Sequence, residues 1–355
     1  MKILLLIDSL DSGGAQRQMV ELTLLLQDRG YQTKVVYYHP IYFFRSYLDE
    51  HRVQNEYVEG AHNKVKRLFL IAKAIRKFSP EVVISYLDTP NIVSCLLKAV
   101  GMKFRLISSE RNTSQVVNCY EKAKFFLLRW ADVIVPNSFS QDQFIKEKFP
   151  NIYYKTKVIT NYVDTNLFVP LHVDKCKRNR ILVVARISKQ KNTLAFLQAV
   201  KILKDEGLSF WVDWYGRADD DIFSQCEVYI KKYQLGDFFS FHEPTNNIVS
   251  VYQQSDIFCL PSLYEGFPNV ICEAMSCGLP IICSNVCDNS LLVENRKNGF
   301  LFNPNDVEDM VSKIRSMLLL PIGKFQEMQT YSREMAKIKF SKESFIMKYE
   351  KLIEG

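Results

Sequence analysis

Residues 256–284 read DIFCLPSLYEGFPNVICEAMSCGLPIICS. Ile257, Phe258 and Leu260 form a short apolar strand, and Pro261 and Ser262 stop it. Gly266 permits a sharp turn, and Pro268 suits the first turn of a helix. Val270, Ile271, Ala274 and Met275 recur at helical spacing and are expected to face a core. Gly278 and Pro280 end the helix, and Ile281 to Cys283 starts the next buried strand. Two carboxylates remain, Glu265 before the helix and Glu273 within it. Glu265 falls where helix-start N–H groups gather, a place suited to a phosphate or a sugar hydroxyl. Strand, helix and strand in this order predict a parallel, doubly wound sheet.

The same pattern runs outward in both directions. Ile181 to Ala185 is a strand, followed by the loop RISKQKN and a helix from Thr193. Phe210 to Tyr215 is a strand ending at Gly216. At the start of the chain, Ile3 to Ile7 is a strand, Gly13 and Gly14 make a turn, and a helix opens at Ala15. Thr33 to Tyr38, Glu81 to Tyr86, Phe104 to Ser108 and Val133 to Pro136 continue that first sheet, whereas residues 40–60 read as aromatic and irregular. The glycine pair reads equally as a tight turn or as a phosphate or sugar contact, since neither GxGxxG nor a Walker lysine follows. The expectation is an α/β protein of two Rossmann-like domains facing across a cleft. Their predicted bounds are 1–168, a linker at 169–180, and 181–335. A C-terminal helix over 336–355 can pack back on the first domain.

The chain's 355 residues suffice for two full cores, and 47% apolar with 24% charged residues is ordinary for a globular protein. A formal charge of +7 and a pI near 8.8 favour anionic partners mildly: nucleotides, phospholipid head groups or lipid pyrophosphates. No Arg/Lys-dense tail marks a nucleic-acid arm, so no nucleic-acid partner is expected. The nine cysteines form no CxxC pair, and Cys95, Cys259, Cys272 and Cys283 lie in apolar segments. They are expected to be buried thiols of a reducing compartment, with no metal. The opening apolar run is too short for a leader, and no run reaches about 18 apolar residues, so nothing is expected to span a bilayer.

Ligands of doubly wound sheets bind at the carboxyl ends of strands. In the second domain those positions are Arg186 to Lys191, Gly216 with Arg217, and Glu265 to Val270, which takes in Gly266, Phe267, Pro268 and Asn269. In the first they are Gly13 and Gly14, Glu110 and Arg111 in the run Ser109-Glu110-Arg111-Asn112, and Asn161. A loop can fold Arg186 and Lys191 toward one point, where a fork donor and a point charge suit a pyrophosphate. The plainer alternative is a solvated basic loop. Glu265 can accept from sugar hydroxyls, and Glu273 can reach a ribose diol; against these stand a cap residue and a surface glutamate. Two basic helices carry Lys66, Arg67, Lys73, Arg76 and Lys77, and Lys122, Lys124, Phe125, Phe126, Arg129 and Trp130. They read either as helices packed on a sheet with solvated lysines or as peripheral contacts with anionic lipid.

The segments GGAQRQMVEL, ARISKQKN, YEGFPNVICEAMSCGLPII and ENRKNGFLF together resemble the family 4 retaining glycosyltransferases of the GT-B fold. The resemblance runs from the first strand to about residue 310. It implies a nucleotide-sugar-binding C-terminal domain and an acceptor-binding N-terminal one. It matches Glu265 to the glutamate that contacts the donor sugar, and Glu273 to the one that binds the nucleotide ribose. It matches Arg186 and Lys191 to the pair on the donor diphosphate, and Gly13 and Gly14 to the N-domain glycine loop. Ala185 stands where the family often has glycine, Asn192 likewise, and Glu110 and Arg111 where many members have a histidine. The implied reaction needs no metal or cofactor and proceeds by front-face attack. The implied donor is a UDP-sugar, with a UDP-N-acetylhexosamine as the finer candidate. The implied acceptor is a glycan hydroxyl, with a lipid-pyrophosphate-linked oligosaccharide of cell-surface polysaccharide synthesis as the candidate. The implied place is the cytoplasm or the inner membrane face. A sugar-nucleotide epimerase and a non-catalytic nucleotide-sugar binding protein are the alternatives on this fold. The sequence sets neither the sugar nor the oligomeric state.

Overall fold

The computed structural model describes residues 1–59, 63–111, 114, 116–171, 179–218, 220–245 and 247–355. Residues 172–178 of the expected linker, and Asn112, lie outside the described residues. Two compact units emerge: Met1–Asn161 with Glu343–Gly355, and Tyr162–Lys342.

The first unit carries β1 (Lys2–Leu6), β2 (Gln32–Tyr37), β3 (Gln54–Tyr57), β4 (Val82–Tyr86), β5 (Arg105–Glu110) and β6 (Val133–Pro136). Its helices are α1 (Gly14–Asp28), α2 (Arg45–Glu50), α3 (Lys64–Phe78), α4 (Asp88–Ala99), α5 (Cys119–Leu128), α6 (Phe139–Lys148) and α7 (Pro150–Tyr153). The strands pair in parallel in the order β3-β2-β1-β4-β5-β6. That is the doubly wound order, with its switch point between β1 and β4. Ile3 to Ile7 is fully buried, as a central strand covered on both faces requires.

The second unit carries β7 (Arg180–Val184), β8 (Trp211–Tyr215), β9 (Phe239–His242), β10 (Ile257–Leu260), β11 (Ile281–Ser284) and β12 (Gly299–Phe302). Its helices are α8 (Thr193–Asp205), α9 (Asp220–Lys232), α10 (Ile248–Gln254), α11 (Asn269–Ser276), α12 (Asn289–Leu292), α13 (Val307–Leu318) and α14 (Ile322–Lys339). The order β9-β8-β7-β10-β11-β12 repeats the topology of the first sheet. One face packs Val183, Val212 and Trp214 against Phe196 and Ile314. The other packs Leu182, Phe258 and Leu260 against Ile271, Met275 and Ala336.

Two local expectations need correction. Residues 40–60 are not irregular throughout, since α2 and β3 lie there. β3 reads QNEY and sits at the sheet edge, where pairing to one neighbour demands no apolar run. The terminal segment is not one helix: α14 stops at Lys339, and α15 (Lys342–Glu354) follows. The break falls after Phe340, whose ring is buried against the second unit's core. α15 belongs to the first unit, where Tyr349 Oη lies 3.0 Å from Tyr86 Oη and Arg105 Nε donates to the Leu352 carbonyl at 2.7 Å.

The eight described cysteines are free thiols, six of them buried. Burial pushes the Cys95 thiol up to about 12, so at neutral pH it behaves as an apolar side chain.

Candidate active site

The chemistry of the second unit gathers at the carboxyl ends of β7, β8 and β10. After β7 the chain runs Ala185-Arg186 into a loop that is tied down at several points. The Ile187 amide donates to the Arg217 carbonyl at 2.9 Å, and the Leu263 amide to the Gln190 carbonyl at 2.9 Å. Gln190 Nε2 donates to the Tyr264 carbonyl at 3.1 Å. Asn192 sits at φ +57°, which asparagine tolerates, and its side chain donates to the Pro304 carbonyl at 2.8 Å. These ties bring Lys191 against Glu265, with Nζ 2.5 Å from Oε1. Both side chains are largely buried, 14% and 9% exposed, so the pair is screened from water on most sides.

Arg186 is exposed, and its guanidinium makes a 3.4 Å contact with Gln190 Oε1. Gly216 explains how the β8 end can close on this loop. A Cβ there would stand 1.9 Å from the Ala185 carbonyl oxygen, which is backbone and cannot yield. That carbonyl also accepts from Trp214 Nε1 at 2.8 Å. Gly216 and Arg217 therefore lie alongside Ala185 to Ile187, with the Arg217 side chain exposed.

Beyond Glu265 the chain passes Gly266, the buried Phe267 and Pro268 into α11, which starts at Asn269. Pro268 is the residue before the first turn rather than in it, a one-residue difference. It offers no side-chain cap to the helix amides. Ile271, Ala274 and Met275 are buried as the spacing predicts, with Val270 partly so. Gly278 ends the helix at φ +72°. Glu273 is 3% exposed and accepts from Tyr252 Oη at 2.9 Å, which rules out a surface glutamate. Tyr252 comes from α10, and its part here was not visible in any spacing, nor was that of Gln190.

In the first unit, α1 starts at Gly14 with Gly13 before it, again with no side-chain cap. Gly13 has an ordinary φ of −73°, and a Cβ there would stand 2.4 Å from the Gln16 side-chain oxygen. Glu110 closes β5 and is fully buried. Its carboxylate accepts from Asn91 Nδ2 at 2.9 Å and lies 3.0 Å from Lys124 Nζ, and none of it reaches the surface. Lys124 also meets Glu121 at 3.1 Å and Asp88 at 3.4 Å. Burial and then these neighbours set the cluster's titration. Glu110 is raised by burial, against the pull of Lys124. For Lys124 burial acts downward, but Glu110, Asp88 and Glu121 outweigh it and raise the ammonium. Arg111, the next residue, points elsewhere: Nη2 donates to Asn161 Oδ1 at 2.7 Å, and the guanidinium lies 4.9 Å over the Tyr86 ring.

Comparison with known proteins adds to this geometry. Residues 172–335 match the family model described as glycosyl transferases group 1. The chain is 26% identical over 333 residues to a Campylobacter jejuni protein, covering 90% of this chain and 89% of the relative. That relative is named GalNAc-alpha-(1->4)-GalNAc-alpha-(1->3)-diNAcBac-PP-undecaprenol alpha-1,4-N-acetyl-D-galactosaminyltransferase. This chain is also 34% identical over 177 residues, 45% of its length and 44% of the relative, to an Escherichia coli UDP-Gal:alpha-D-GlcNAc-diphosphoundecaprenol alpha-1,3-galactosyltransferase. Among solved structures, Anabaena HepE in complex with UDP and glucose superposes with a TM-score of 0.88 at 19% identity over 100% of both chains. Sucrose-phosphate synthase of Thermosynechococcus elongatus superposes with a TM-score of 0.83 at 16% identity over 99% of this chain and 98% of the other. The fold is GT-B.

Proposed function

We propose that the chain, a glycosyltransferase of the GT-B fold, moves a sugar from a UDP-linked donor to a hydroxyl of a glycan carried on a lipid diphosphate. The donor reading prefers a UDP-N-acetylhexosamine, and the reaction retains anomeric configuration. The observation that carries the proposal is the Lys191–Glu265 pair at the head of a helix that buries a second glutamate, Glu273. The acceptor class follows the two diphosphoundecaprenol-directed relatives.

In this reading the second unit holds the donor and the first holds the acceptor. Glu265 takes the donor sugar's hydroxyls, and Glu273 takes the ribose diol. Lys191 has three N–H donors, so it can hold Glu265 and a phosphate oxygen together. The acceptor oxygen attacks the anomeric carbon on the face from which the diphosphate leaves. The bond from that carbon to the phosphate oxygen breaks, and the acceptor's proton passes to the departing phosphate. Arg186 and Lys191 stabilise the charge that grows there, the part a metal plays in other transferases. Gly216 and Arg217 flank them, and Gly266 to Val270 present the helix start.

The test is equilibrium binding of UDP, GDP and their sugar conjugates to wild type, Arg186→Ala and Glu273→Ala. Each variant should lose about tenfold or more in UDP affinity, roughly 1.5–3 kcal/mol for a charged hydrogen bond. Absence of nucleotide binding, or equal binding by all three proteins, would remove the donor assignment.

The reading also places the protein at the inner face of a membrane through α3. That helix, KVKRLFLIAKAIRKF, has no acidic residue. Its exposed side carries Val65 and Phe69, 78% and 65% exposed, with Lys66, Lys73, Arg76 and Lys77. Apolar residues ringed by cations complement an anionic lipid surface. α5 and the residues after it contribute less than their sequence predicts, because Lys124 and Phe125 turn inward and leave Lys122, Phe126, Arg129 and Trp130 outside. No helix among the described residues is long and apolar enough to cross a membrane. Vesicles containing phosphatidylglycerol should bind the protein, and Lys73→Glu with Lys77→Glu should weaken binding by at least tenfold at about 1 kcal/mol or more per reversed charge. Equal binding to purely zwitterionic vesicles would refute the contact.

A further inference from the structure

Arg111 directly follows the carboxyl end of β5, and it is 8% exposed. A buried guanidinium normally meets a carboxylate, because an uncompensated charge is costly away from water. Here it meets only neutral groups. Nη2 donates to Asn161 Oδ1 at 2.7 Å, and Nη1 makes a 3.4 Å contact with Ser109 Oγ. Nε is buried and makes no hydrogen bond. The Tyr86 ring lies 4.9 Å beneath the guanidinium, and the Tyr86 hydroxyl is in turn held by Tyr349. No carboxylate among the described residues lies within ion-pair distance of Arg111. The adjacent Glu110 faces the other way and is spent on Lys124 and Asn91.

The arrangement is therefore a cation fixed in place by neutral partners, with most of its five N–H donors uncommitted, at the ligand edge of a doubly wound sheet. We propose that Arg111 is an anion-binding residue of the first unit, and that its ligand is a diphosphate. A planar fork with unused donors fits two oxygens of one phosphoryl group. Two substrates of the proposed reaction carry that chemistry, the nucleotide donor and the lipid-linked acceptor, and the inference rests on that reading of the reaction. It also accounts for the arginine itself: without a ligand, the charge is a burden on folding that an apolar side chain of similar length would relieve.

The test compares the full chain with Arg111→Met, Arg111→Lys and, as a reference, Lys191→Ala. Thermal melting is measured without ligand, and affinities are measured for UDP, inorganic pyrophosphate and geranylgeranyl diphosphate. Arg111→Met should melt at or above the wild-type temperature and bind at least one of the three ligands about tenfold or more weakly. Arg111→Lys should fall between. A loss confined to UDP assigns the donor's diphosphate, and one confined to the prenyl diphosphate assigns the acceptor's. Unchanged affinity for all three ligands in either folded Arg111 variant overturns the proposal and leaves the arginine a structural prop, as does Arg111→Met melting lower with its binding intact. If Lys191→Ala still weakens UDP binding in that case, the donor site stands and only this inference falls. If UDP binding survives in both, the donor site falls with it.

Discussion

Lys191→Ala will lower sugar transfer by roughly 10²–10³-fold, the loss seen when one preorganised electrostatic stabiliser of a transition state is removed. The argument is geometric. Lys191 is held from both sides, by the loop ties through Gln190 and Asn192 and by Glu265 at 2.5 Å. A charge fixed in this way needs no reorganisation when the leaving group becomes more negative. The same substitution leaves the Glu265 carboxylate, 9% exposed, without its cation, at a cost of about 2–3 kcal/mol in stability. Adding Glu265→Gln removes the stranded charge, so the double variant should regain most of the lost melting temperature while transfer stays low. Turnover and thermal melting of the two singles and the double separate the possibilities. If turnover recovers together with stability, the pair is only a brace between two loops and the catalytic assignment of Lys191 is wrong.

The sheet strands were legible because a strand buried on both faces must be an apolar run, as ILLLI, VVIS, IFCL and IICS are. β3 escaped for the converse reason: an edge strand reading QNEY carries no such run. The helix at Asn269 was legible from Gly266, Pro268 and Gly278, each acting on its own backbone neighbourhood. What spacing could not show was long-range pairing. Sequence makes Lys191 and Glu265 separate contacts for one ligand, whereas the fold joins them to each other across 74 residues. Tyr252 reaches Glu273 from α10, a short helix reading IVSVYQQ in which nothing singles out the tyrosine as the partner of a glutamate 21 residues on. Helical periodicity assigns a face to an apolar residue, but a lysine on the buried face looks in sequence like a lysine on the solvent face. Lys124 was of that kind. So was the division between Glu110 and Arg111, adjacent in sequence and turned to opposite environments by the strand end.

Lys124→Met will destabilise the protein by about 3–5 kcal/mol, the range for removing one partner of a buried ion pair. Lys124 is 1% exposed, with carboxylates of Glu110, Glu121 and Asp88 within 3.4 Å. Its removal leaves three acids and no base, and Glu110, wholly buried, is the one that water cannot reach. The pH dependence has a definite sign. Burial already raises the Glu110 carboxyl above its ordinary value of 4.5, and losing the lysine raises it further. A group raised on folding contributes stability below its unfolded value and loses it as pH rises through the folded one. The variant should therefore be least affected near pH 4 and increasingly unstable toward neutrality. The wild-type ammonium, raised by its three acids despite burial, adds stability that is complete below its ordinary 10.5 and fades only at higher pH. Adding Glu110→Gln should restore about half or more of the loss, since glutamine can still accept from Asn91 Nδ2 without a charge to bury. Denaturant melts of wild type, Lys124→Met and the double variant at pH 4.5 and 7.5 measure all of this. A Lys124→Met penalty below about 1 kcal/mol at pH 7.5 would mean the lysine is not compensating a buried charge.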